Sequence, residues 1–74
     1  MKFTNAKEDK YCTFETIGFG EYFRLGDGFY VKTDMDDEDG DFYAFNLNTG
    51  EGITISSGIV VEPIKIKEII YENI

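Results

Sequence analysis

The stretch "DMDDEDGD", residues 34–41, sets six carboxylates into eight positions of a 74-residue chain. Carboxylates so closely spaced do one of three things: ligate a hard cation, solvate a turn, or present negative charge to a basic partner. A calcium loop of the EF-hand kind needs oxygen ligands at its first, third and fifth positions, Gly at the sixth and Glu at the twelfth. With Gly40 as the sixth position, Met35 falls on the first and Asn46 on the twelfth. Two essential ligands are missing and the flanks read as strands, so no metal site is expected. As a solvated connection, the run takes its turn from Gly40 and its extension from self-repulsion, but a neutral Ser/Asn/Gly loop would serve without that repulsion. The third reading is an imitation of phosphate. One strand of B-DNA places a charge about every 3.4 Å, and carboxylates on alternate residues of an extended chain repeat about every 6.6 Å. Asp34, Asp36 and Glu38 have that spacing, and Asp37, Asp39 and Asp41 supply a second row. Glu15, Glu21 and Glu51, with Glu62, Glu68 and Glu72, are placed to extend the stripe. The 34–41 acids with Glu15, Glu21 and Glu51 are the candidate partner-binding residues.

The charge balance supports that reading. Fifteen Asp and Glu face seven Lys and Arg, giving a net charge of -8 with no histidine. A surface this negative repels nucleic acid and anionic membranes and speeds encounter with basic partners. Direct DNA or RNA binding, which needs cations to displace phosphate counterions, is not expected. Catalysis is not expected either. There is no histidine to act as base, Cys12 has no evident partner to lower its pKa, and nothing marks a pKa contrast among the carboxylates. No cofactor is implied. "IGFGEYFRL" (17–25) is similar to the start of a kinase glycine-rich loop, and Lys32 follows on "FYV". A third glycine is absent, Phe23 standing in its place, and the chain is too short for a kinase, so these read as turn glycines. A competing function is a small-ligand binder, such as a sponge for nucleotide defence signals. It requires Arg24, Lys32, Lys65 and Lys67 to gather in one pocket beside an aromatic.

The elements that must carry these residues read as β. The chain has seven Phe and five Tyr and is 42% hydrophobic, a composition that folds into one domain, 1–74, with a thin core. A single cysteine fits a reducing compartment. No signal peptide or membrane-length apolar run is seen, and a cytoplasmic location is expected. Residues 5–11 allow one helical turn capped by Asn5. Strands are expected over 12–17, 21–25, 29–33, 41–47, 52–55 and 59–62, with "GDG" and "NTGE" as hairpin turns. Pro63 belongs at a strand end, edge or bulge. Residues 64–67 read as strand, and 68–74 fit strand or a short terminal helix. The fold class expected is all-β, a small SH3-like antiparallel barrel or a strongly curved sheet. Phe14, Ile17, Phe23, Leu25 and Tyr30 are expected in its core. From the later strands come Phe45, Leu47, Ile53, Ile55, Val60 and Ile64. Several of Phe19, Tyr22, Phe29, Tyr43 and Tyr71 fall on the opposite face, where exposed aromatics would form a dimer seam, a partner patch or a platform for a base; core or homodimer contact is the commoner role in so small a fold.

Four short patterns, Gly20 to Phe23, Tyr30 to Thr33, Asn46 to Gly50 and Val61 to Ile64, carry a resemblance over about residues 14–66. With the size and acidity, they resemble the small acidic phage-encoded host-takeover proteins of lytic Bacillus phages. One of that group is a DNA mimic that occupies the DNA-binding surface of the nucleoid protein HU. The resemblance implies a small folded dimer in the infected bacterial host that blocks an HU-like basic DNA-binding protein. The acidic run itself is not part of the shared pattern.

Overall fold

A computed structural model describes residues 10–74. The helical turn expected at 5–11 falls mostly outside the described residues, and Lys10 and Tyr11 are not helical. Six strands run in chain order: β1 (Cys12–Thr13), β2 (Tyr22–Leu25), β3 (Gly28–Asp36), β4 (Phe42–Asn46), β5 (Gly52–Ile55) and β6 (Val60–Ile64). They form one antiparallel sheet in the order β1-β6-β2-β3-β4-β5. The sheet is curved and does not close into a barrel. Instead, a 3-10 turn at Phe14–Thr16 ties its two ends together. Phe14 N–H donates to Ile59 O at 2.8 Å and Glu15 N–H to Ser57 O at 3.0 Å, so the strand expected over 12–17 stops after two residues. The connection from β5 to β6 becomes its backbone partner.

Turn chemistry explains the hairpins. Between β2 and β3, Gly26 has φ 60° at the first of two loop positions, where a type II′ turn places its glycine. Between β4 and β5, the Asn46 side chain accepts from Asn48 N (2.8 Å) and Thr49 N (3.1 Å), and Gly50 closes the loop at φ 77°. Pro63 sits in β6, an interior strand opposite Phe23. It is tolerated there because two-residue β1 ends at Cys12↔Val61. Beyond that pair β6 has a free edge, and a missing N–H breaks no ladder bond.

The core is Phe14, Ile17, Phe23, Ala44, Ile55 and Val61, with Phe23 set against Phe14 edge-on at 5.3 Å and stacked on Tyr30 at 5.6 Å. Two strands face the other way from expectation. In β4 the inward residue is Ala44, while Phe45 lies over Gly52 on the other face and Leu47 is exposed. In β6 Val61 is buried and Val60 is exposed. With a side-chain period of two, a shift of one position swaps the faces, and small Ala44 gave no sign of being the inward residue. The C-terminal expectation is also corrected: β6 ends at Ile64, and residues 65–74 are neither strand nor helix. The pair Tyr22↔Ile64 is the last that β2 offers. Ile69, Ile70 and Tyr71 are exposed, so no apolar contact holds a terminal helix.

Candidate functional site

The acidic run begins as strand. Asp34 and Asp36 lie in the second half of β3, Asp34 within and Asp36 at the end of an irregularity that separates the pairs Lys32↔Ala44 and Asp36↔Phe42. The Thr33 hydroxyl fills this bulge by donating to Tyr43 O at 2.9 Å and accepting from Met35 N at 3.2 Å. Residues 37–41 then fold into a tight turn. The Asp37 carboxylate accepts from Asp39 N (2.9 Å) and Asp41 N (3.0 Å), while Asp37 N donates to Asp41 O and Gly40 N to Asp37 O. Gly40 has φ 85°, a conformation that strains any side chain. The two extended rows of carboxylates therefore do not form; the alternate spacing survives only for Asp34 and Asp36. Asp37 is spent on the turn, much as Asn46 is in the next hairpin. Asp34, Asp36, Glu38 and Asp39 are exposed, and among the described residues no group of three or more His, Cys, Asp or Glu could hold a metal ion.

The other candidate acids part company. Glu15 and Asp41 come together on one cavity. Glu21 folds back to accept from Gly18 N at 2.8 Å. Glu51 lies in the β4–β5 turn, at the far end of β4 from the acidic run. The cations are dispersed. Arg24 pairs with Glu62 at 3.8 Å, Lys65 lines a groove beside Pro63, Lys67 is exposed, and Lys32 is alone in the cavity that Glu15 and Asp41 share.

That cavity is the feature sequence reasoning missed. It holds about 290 Å³, and Lys32, only 5% exposed, reaches into it from β3. Its Nζ donates to Phe14 O at 3.0 Å and lies 4.4 Å from the Phe14 ring centroid and 5.5 Å from those of Phe19 and Phe42. Burial lowers the Lys32 pKa below its ordinary value, and the nearby Glu15 carboxylate opposes that shift. Local chemistry sets the walls. Gly18 and Gly20 are turn glycines, as expected, with Gly20 at φ 83° donating to Lys32 O at 2.7 Å. The turn they make carries Phe19 over Lys32 and against Phe42, 5.0 Å between centroids. A signal was present, since Lys32 shares the parity of Tyr30, an expected core residue. On that parity the lysine had to point inward.

No known protein family, curated protein or solved structure matches the chain. Among the described residues no helix is long and apolar enough to cross a membrane.

Proposed function

We propose that this chain is a non-enzymatic binding protein that offers DNA-like negative charge to a basic DNA-binding protein of the HU kind and so displaces it from DNA. The observation that carries the reading is the hairpin at the β3–β4 end of the sheet. It projects Asp34, Asp36, Glu38 and Asp39 into solvent on a turn fixed by Asp37. Among the described residues the one ion pair is Arg24–Glu62, so no described cation neutralises these carboxylates. Charge of this density steers association and sets specificity. A phage origin and an infected bacterial cytoplasm as the place of action belong to the same proposal and rest on the family resemblance alone. The nucleotide-sponge reading is weakened by the dispersal of Arg24, Lys32, Lys65 and Lys67, because a phosphate needs several cations in one place.

The test is competition. The protein is titrated into a complex of HU with labelled DNA at low and moderate salt. DNA is expected to be released near stoichiometric amounts, less readily as salt rises. The combined variant Asp36→Asn, Glu38→Gln, Asp39→Asn is expected to lose most of that effect. DNA that stays bound at low salt removes HU as the target, and an equally effective variant removes the hairpin from the interface.

A further inference from the structure

The cavity around Lys32 has a charge pattern that narrows what can occupy it. Its floor carries a buried amino group with several N–H donors and, among the described residues, one acceptor, Phe14 O. Its walls include the Phe19 and Phe42 rings, and Glu15 and Asp41 stand along it. An anion entering would meet those carboxylates and the acidic hairpin that Asp41 ends. A cationic head reaching the floor would meet Lys32. What fits is an occupant uncharged at depth, apolar along its length, with an oxygen acceptor for Nζ and positive charge around it outside. At about 290 Å³ the space lies at the lower end of small-molecule sites, which run about 300–1,000 Å³. It suits a single large side chain rather than a nucleotide. Phe19, though packed on Phe42, remains 57% exposed and offers an apolar face at the opening for a partner to cover.

The geometry points to this cavity as the anchor of the protein's interface: one large apolar side chain from a Lys/Arg-rich segment of the partner enters beside Phe19 and Phe42, and a backbone carbonyl of that segment accepts from Lys32 Nζ. The inference rests on the acidic-surface reading and says where its affinity is concentrated. Exposed charges raise the association rate and contribute little to residence, whereas a buried apolar anchor in a formed pocket dominates binding energy. The two parts adjoin in the chain, since Gly40, Asp41 and Phe42 close the acidic turn and line the cavity.

The test uses the full chain and three end-blocked peptides: Lys-Lys-Phe-Lys-Lys, Lys-Lys-Ala-Lys-Lys and Gly-Gly-Phe-Gly-Gly. Affinity is followed by calorimetry and the ring resonances of Phe19 and Phe42 by NMR. The first peptide is expected to bind roughly tenfold or more tightly than the second and to move both rings, whereas the glycine peptide binds far more weakly. Phe19→Ala is expected to erase the difference between the two basic peptides while leaving the weaker binding intact. Should that variant not fold, the peptide comparison on the unaltered protein decides alone. Equal binding of both basic peptides with unmoved rings overturns the anchor and leaves the acidic surface standing. Failure of both to bind overturns the two together. A glycine peptide that binds as well as the basic one makes the cavity an independent apolar-ligand site and overturns the proposal.

Discussion

Asp37 provides the sharpest separation between an acid that builds the hairpin and acids that face outward. Its Oδ1 accepts from both Asp39 N and Asp41 N, and Asp37→Ala removes that shared acceptor while leaving the turn's backbone bonds. Hydrogen bonds to charged groups are worth about 1.5–3 kcal/mol each when water is excluded. Here one is exposed and the other half-buried, and the freed N–H groups regain water. The closer guide is the loss of an Asp that caps helix N–H groups, typically about 1 kcal/mol. With two donors released, the expected loss is about 1–2 kcal/mol, or roughly 6–13 °C in Tm for a domain of this size. Asp37→Asn keeps a side-chain oxygen and should lose less than half of that. Asp36→Asn, whose side chain is exposed, should stay within about 0.5 kcal/mol of the parent. Urea denaturation of the three variants checks the order. Equal stabilities for Asp37→Ala and Asp36→Asn would refute the division of labour within the run.

Lys32→Met replaces a buried amine with an apolar chain of similar length. Phe14 O keeps Ile17 N as a partner at 3.0 Å, so the variant should be no less stable than the parent at neutral pH. Because burial lowers the Lys32 pKa in the folded protein below 10.5, the unfolded chain holds that proton more tightly. The parent should therefore gain on Lys32→Met as pH rises from the folded-state pKa to about 10.5; a difference independent of pH across that interval would contradict the burial argument. Gly52→Ala places a Cβ 2.7 Å from Phe45 Cε1 and should lower stability by about 1–3 kcal/mol, whereas Gly58→Ala meets nothing within 4 Å and should be neutral or slightly stabilising; equal denaturation midpoints would show that the ring moves freely. Deleting residues 68–74 should change stability by less than about 0.5 kcal/mol, since Ile69, Ile70 and Tyr71 are exposed; a loss above about 1 kcal/mol in urea would show that the tail packs.

The hairpins were legible because their turns are chemical. "GDG" and "NTGE" place glycines where the backbone needs φ 60° and 77°, and no tertiary contact is required to read them. The phase of β4 was not legible. Phe45 and Leu47 are the large apolar side chains of that stretch, and hydrophobicity alone puts them inside. The sheet instead lays Phe45 over Gly52 and admits Ala44 to the core that Phe14 and Phe23 share. Such a choice depends on volumes contributed by other strands, which no local pattern contains.

The acidic run shows the same limit from the functional side. Its composition announced a charged surface, but reading it as evenly spaced rows assumed an extended chain, and Gly40 with the Asp37 carboxylate bends it instead. The bend limits the alternate spacing to Asp34 and Asp36 and leaves two acids at the tip. It also delivers Asp41 and Phe42 to the Lys32 cavity. A long row would bind by charge alone and release readily in salt. A short acidic patch beside an aromatic cavity needs fewer charges, because an apolar contact is screened by no ion. The two designs differ in the slope of affinity against salt. Binding that falls gently with salt, with the residual affinity abolished by Phe19→Ala, would mark the second; a steep fall unaffected by that substitution would mark the first.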